Sequence, residues 1–198
     1  MIKIPGRKEL EHSFASPVVR LLINTGITPN ALTWTGFSLA VVAATLIGIG
    51  HPFAGAWTML GGGLCDMLDG SLARATNRIT TFGAFLDSTL DRFSESAILL
   101  GIIILYTKQG STLPIALAGA TLIGSLLVSY VRARAEGVGL KCEVGIFTRT
   151  ERVLILALGL LLYQFHPALV IAMGIITFLS FFTVGQRLIH VWHITKGI

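Results

Sequence analysis

The chain has 198 residues, 53% hydrophobic and only 13% charged, with a mean hydropathy of +0.78 and a net charge of +5. A water-soluble domain carries about a quarter charged residues, so this composition excludes an ordinary soluble globular protein. The basic excess does not point to nucleic acid: no stretch resembles a nucleic-acid-binding module, and membrane topology with anionic phosphates accounts for it better.

In chain order, "MIKIPGRKELEHSF" has no apolar run behind its basic residues, so no cleavable signal peptide is predicted. From about 8 to 24, Leu10, Phe14, Val18, Leu21 and Leu22 recur at helical spacing between charges. That pattern predicts an amphipathic helix lying in the membrane interface, with Pro17 a point of kinking. "ITPNAL" breaks it, and Asn30 is the predicted N-cap of the next helix. Leu21 to Cys65 contains no Asp, Glu, Lys or Arg, and neither does Val153 to Gln186. Each run is too long for one span of roughly 20 residues and long enough for two. "GIGHPF" at 48–53 and "YQFHP" at 163–167 supply the turns. Spans are predicted at about 31–49, 53–75, 81–107, 112–136, 149–164 and 168–191. The expectation is an all-α polytopic membrane protein: six transmembrane helices and an N-terminal interfacial helix in one domain, 1–198.

Basic residues set the orientation. Lys3, Arg7, Lys8 and Arg20 precede the first span, and Arg74 and Arg78 join spans two and three. Arg132, Arg134, Lys141, Arg149 and Arg152 cluster between spans four and five, and Lys196 ends the chain. The opposite side offers Lys108 alone. This asymmetry predicts a multi-pass protein of the cell membrane with both termini in the cytoplasm. Cys65 and Cys142 lie far apart with no metal spacing around them and are taken as small apolar residues.

All four aspartates lie within "CDMLDGSLARATNRITTFGAFLDSTLD", residues 65–91. Asp66 and Asp69 are three residues apart near the end of span two; Asp87 and Asp91 are four apart near the start of span three. Each pair occupies one helix face, and a short connection makes the two helices antiparallel neighbours. Four carboxylates there need a balancing cation. Arg74, Arg78 and Arg92 could supply it as structural ion pairs, but a pair of hard divalent ions suits an all-oxygen site better. Gly70, Ala73, Gly83 and Ala84 flank the acids and allow close approach of a backbone or ligand.

The pattern Asp66-x2-Asp69-Gly70-x2-Ala73-Arg74-x8-Gly83-x3-Asp87-x3-Asp91 resembles, at all eight fixed positions, the signature of the CDP-alcohol phosphotransferase family. Several expectations follow from that resemblance. A CDP-linked lipid donates its phosphatidyl group to an alcohol, and CMP leaves. Asp66, Asp69, Asp87 and Asp91 would hold two Mg²⁺ or Mn²⁺ ions, with Asp91 also the general base on the acceptor hydroxyl. Gly70, Ala73, Arg74 and Thr80 would contact the CDP moiety, together with the turn Asn30, Ala31, Leu32 and Thr33. The resemblance also implies a homodimer and an active site at the cytoplasmic end of the bundle.

The acceptor is read from "SYVRARAEG", "FTRTERV" and "GQRLIHVW", which supply Ser129, Arg132, Arg134, Arg152 and Arg187. Several arginines converging from helix ends suit a phosphate dianion. The same stretches resemble those of prokaryotic phosphatidylinositol phosphate synthases, which implies inositol 1-phosphate as the phosphorylated polyol acceptor. Glycerol 3-phosphate is the alternative, and the lipid tail could be diacylglycerol or archaeol. An intramembrane prenyltransferase would predict two aspartate motifs far apart in sequence. A divalent-cation transporter would leave Arg74 and the basic cluster without a role.

Overall fold

A computed structural model describes residues 18–165 and 167–196, and among these the chain is helical with no strand. Residues 18–25 form α1. Six longer helices follow: α2 (Pro29–Gly48), α3 (Pro52–Ala75), α4 (Thr81–Lys108), α5 (Thr112–Gly137), α6 (Arg149–Leu161) and α7 (Ala168–Thr195). Of the predicted interfacial helix, residues 8–17 lie outside the described residues. The remainder, α1, turns Val19 onto Leu32 of α2 and Leu72 of α3 in a small apolar cluster.

Local chemistry fixes where the helices start. Thr28, not Asn30, caps α2: its hydroxyl accepts from the Ala31 N–H at 3.3 Å, and Pro29 takes the first helical position. Proline lacks the N–H that would go unpaired there and its φ is already helical, which moves the cap two residues ahead of Asn30. Thr80 caps α4 by accepting from the Gly83 N–H at 3.0 Å. Thr148 and Glu151 form a reciprocal capping box at the start of α6.

The principal helix contacts are α2 with α3, α3 with α6, α6 with α7, α7 with α5, α5 with α4, and α4 with α2. Followed in that order they close a six-helix ring. The connections are short apart from 138–148, and there the contacts of Arg149 with Asp66 and Asp91 put the start of α6 at the aspartate end, so successive helices run antiparallel. The start of α2, the end of α3, the start of α4, the end of α5, the start of α6 and the end of α7 therefore share one end of the bundle. At the other end, the Lys108 ammonium donates to the Gly48 carbonyl at 2.8 Å, and Gln109 donates to the Tyr163 hydroxyl. Between the ends the core is apolar, with Ile47, Leu99, Ile102, Leu160 and Met173 fully buried.

The outer surface is also apolar. Trp34, Trp57, Phe85, Phe93, Phe178, Phe182 and Leu188 are each more than 45% exposed. Helices that are hydrophobic inside and out belong in lipid. Among the described residues α2, α5 and α7 are long and apolar enough to cross a membrane. Helices α3 and α4 have the length but carry the acids and arginines. Helix α6 is shorter than the predicted span 149–164: it stops at Leu161 after 13 residues, roughly 20 Å at 1.5 Å per residue. Hydropathy does not register this end, because the turn that follows, starting Leu162–Tyr163, is itself apolar.

Candidate active site at one end of the bundle

The ring brings the four aspartates together. Asp66 and Asp69 face Asp87 and Asp91 across α3 and α4, near enough for each to feel another's charge. Asp69 is 5% exposed, and its Oδ2 accepts from the Thr33 hydroxyl of α2 at 2.6 Å. Gly36, one turn further along α2, faces Asp66: a Cβ there would run into Asp66 Oδ1 and lie 3.2 Å from the Gly62 carbonyl. Helix α2 therefore positions both acids of α3, one through a hydroxyl and one through a missing side chain. The sequence reading assigned Thr33 to nucleotide contact and did not single out Gly36.

The cation at this cluster is Arg149, at the start of α6. Its Nη2 donates to Asp66 Oδ2 at 2.9 Å, and its Nη1 lies 2.7 Å from Asp91 Oδ1. Of the three arginines considered from sequence, Arg92 stands 3.9 Å from Asp91 and donates to the Ser88 carbonyl, while Arg74 donates to the Ser71 hydroxyl at 3.3 Å. Among the described residues no group of three or more acids, histidines or cysteines is already gathered as a metal cage. The donor set nonetheless fits a hard divalent ion: four carboxylates, all oxygen, against one closely bound guanidinium and a second, Arg92, at 3.9 Å.

An open cleft of about 230 Å³ adjoins the aspartates. Asn30 and Thr33 of α2, Asp69, Gly70, Ala73 and Arg74 of α3, Thr80, and Gly83, Ala84 and Asp87 of α4 line it. Six of the eight residues assigned to the CDP moiety are thus brought to one cavity. Ala31 and Leu32 are not in its lining; Leu32 is buried against Val19 and Leu72 instead. Gly83 has a local reason to be glycine. A Cβ there would lie 2.9 Å from the Thr80 hydroxyl and 3.3 Å from Asn30 Oδ1, closing the corner where α2 meets the start of α4.

The bundle interior holds a second, small cavity of about 40 Å³, bordered by all six long helices. Its polar end is Asp66, Glu95, Arg149 and Arg152, and its far end is apolar. Arg152 is 2% exposed and forks onto Glu95, with Nε and Nη2 donating at 2.7 and 2.9 Å; its Nη1 is buried without a partner. Glu95 was not anticipated, although it extends the four-residue spacing of Asp87 and Asp91 by one turn. Arg187 is 5% exposed; its Nε donates to the Val144 carbonyl at 2.9 Å and its Nη1 to the Val128 carbonyl. Arg132 pairs with Glu136 at 2.9 Å, Arg134 is exposed, and Ser129 is half-buried. Arg187 feels the charges of both Arg132 and Arg152, so three of the four proposed acceptor arginines share one region.

The profile of the CDP-alcohol phosphatidyltransferase family matches residues 26–185. The chain belongs to the CDP-alcohol phosphatidyltransferase family. Among relatives in that family, it is 40% identical over 187 residues to the archaetidylinositol phosphate synthase of Methanothermobacter thermautotrophicus, covering 91% of this chain and 93% of the relative. It is 36% identical to the phosphatidylinositol phosphate synthase of Mycobacterium bovis, over 89% of this chain and 85% of the relative. Two crystal structures of the Mycobacterium tuberculosis phosphatidylinositol phosphate synthase share the fold at 35% identity. The one with CDP-DAG bound superposes with a TM-score of 0.83 over 90% of this chain and 93% of that one. The complex with manganese and citrate gives 0.82 over 90% and 88%. Within the CDP-alcohol phosphatidyltransferase family, divalent metal and a CDP-linked lipid therefore occur on close structural relatives of this chain.

Proposed function

We propose that this chain transfers a phosphatidyl-type group from a CDP-linked lipid to a hydroxyl of inositol 1-phosphate, releasing CMP. The observation that carries this reading is the cleft in which the motif residues of α3 and α4, Arg74 among them, surround space beside four carboxylates. Support for the acceptor comes from relatives that are archaetidylinositol phosphate and phosphatidylinositol phosphate synthases, and from three like-charged arginines held near one another, which an anion would relieve. The buried, unpartnered Nη1 of Arg152 has a hydrogen bond left to give.

Two Mg²⁺ or Mn²⁺ ions on Asp66, Asp69, Asp87 and Asp91 would neutralise the diphosphate and the departing CMP. The chain's own residues do the rest. Gly70 and Ala73 leave room on α3 for the nucleotide, and Arg74, Asn30 and Thr80 offer it polar contacts. Thr33 fixes the orientation of Asp69. Asp91 takes the proton from the acceptor hydroxyl as its oxygen attacks the lipid-side phosphorus. The P–O bond to CMP then breaks. Ser129, Arg132, Arg134, Arg152 and Arg187 hold the acceptor phosphate.

We also read the chain as one domain over 1–198, with six membrane crossings, both termini and the active site on the cytoplasmic side, and a homodimeric assembly. The deciding experiment follows CMP release by purified protein given CDP-diacylglycerol or CDP-archaeol, Mg²⁺ or Mn²⁺, and one acceptor. CMP formation dependent on inositol 1-phosphate is expected. Equal turnover with free inositol, or turnover with glycerol 3-phosphate alone, would overturn the acceptor assignment.

A further inference from the structure

We infer that Arg149 is the counter-ion of the metal-free site, so that binding of divalent metal and release of the Arg149 guanidinium are a single exchange. The inference rests on the aspartates being metal ligands and deepens that reading.

Arg149 binds one oxygen each of Asp66 and Asp91, one carboxylate from α3 and one from α4. A cation bridging those helices neutralises the pair whose repulsion would otherwise push α3 and α4 apart. The guanidinium occupies one oxygen on each of two carboxylates that would hold the ions, and its positive charge would repel them. Arg149 and such ions therefore compete.

Three features make this arginine displaceable. Its side chain is 30% exposed, against 2% for Arg152 one turn below on the same helix. The buried Glu95–Arg152 fork holds α6 in place, so the Arg149 side chain can swing without the helix moving. Its Nε is buried with no partner, so the bridging pose leaves one donor unsatisfied. A guanidinium leaving the aspartates keeps its charge and its full set of donors for an anionic group.

The test is Mn²⁺ binding, measured by the loss of free-ion EPR signal on titrating detergent-purified protein without substrates. Each charge-assisted hydrogen bond that the metal no longer has to displace is worth on the order of tenfold in affinity. R149Q should therefore bind Mn²⁺ about tenfold or more tightly than wild type. R149K, whose compact ammonium does not fork onto both acids, should fall between the two. D87N, which leaves the Arg149 contacts in place, should lose Mn²⁺ binding. If D87N loses binding while R149Q and R149K bind no more tightly than wild type, the counter-ion role is overturned and the metal reading stands. Wild-type protein that binds no Mn²⁺ would overturn both. Should R149Q fold only when purified in Mn²⁺, the exchange is supported; should it fold in neither condition, R149K decides, and wild-type affinity in that variant counts against the inference.

Discussion

At the scale of single residues, the carboxylates of α3 and α4 differ in how the protein holds them, and each arrangement makes its own prediction. Asp69 is buried and held by one hydroxyl from α2. Replacing Thr33 with valine keeps the shape and removes that bond, and outer partners of this kind are typically worth 10–100-fold in metal affinity or activity. Thr33→Val should therefore lower kcat/KM about tenfold and raise the metal concentration needed for half-maximal activity; unchanged metal dependence would free Thr33 of this role. Asp91 is assigned the proton-accepting role. Asp91→Asn should reduce turnover by about 10² to 10⁴-fold while CDP-lipid binding survives, as isothermal titration with the donor would show. Much of this was legible in the sequence. The spacings Asp66–Asp69 and Asp87–Asp91 already placed each pair on one helix face, which is a property of helical period alone. Arg149 and Gly36 were not legible, because their roles depend on helices brought alongside by the closed ring. Arg149 sits 58 positions beyond Asp91 among other arginines whose presence topology already explained.

At the scale of elements, the tie between α4 and α6 is a pair of rungs: Asp91 with Arg149, and Glu95 with Arg152 one turn deeper. The deeper rung is nearly dry, with side chains 2% and 10% exposed. Removing one partner of a buried ion pair strands the other charge, which costs roughly 3–5 kcal/mol, whereas replacing both with apolar groups of similar size is often neutral. Glu95→Met should therefore lower the melting temperature by roughly 10 °C in a thermal unfolding assay, and the double variant Glu95→Met, Arg152→Met should recover most of that loss. A double variant no more stable than the single one would mean that Arg152 is held by contacts other than Glu95. Helix limits were legible to within a few residues wherever the chain is punctuated. Pro52 and Thr112 mark their helices clearly, and Thr28–Pro29 moved the start of α2 by two residues. The end of α6 was not legible, since Leu160, Leu161 and Leu162 continue the apolar pattern straight through the helix terminus.

At the scale of the whole molecule, the charges and the ring topology make the same demand. Among the described residues, every basic cluster outside Lys108 falls at the end of the bundle that carries the aspartates, and the positive-inside tendency supports the proposal that this end is cytoplasmic. Helix α6 is the difficult member, because 13 residues reach only about two thirds of a hydrocarbon core roughly 30 Å thick. Its neighbours resolve the difficulty. The α6–α7 connection shares its end of the ring with the α4–α5 connection, as the hydrogen bond between Gln109 and Tyr163 shows. Since α5 and α7 are long enough to cross by themselves, the proposed six-crossing topology puts the turn after α6 opposite the aspartates, with α6 packed on its α3 and α7 faces. In cells expressing a chain with Cys65 and Cys142 replaced, cysteines at Ser111 and Gln164 should react with a membrane-impermeant maleimide added outside. A cysteine at Lys141 should react only after permeabilisation. Labelling of Gln164→Cys and Lys141→Cys from the same side would mean that α6 does not cross.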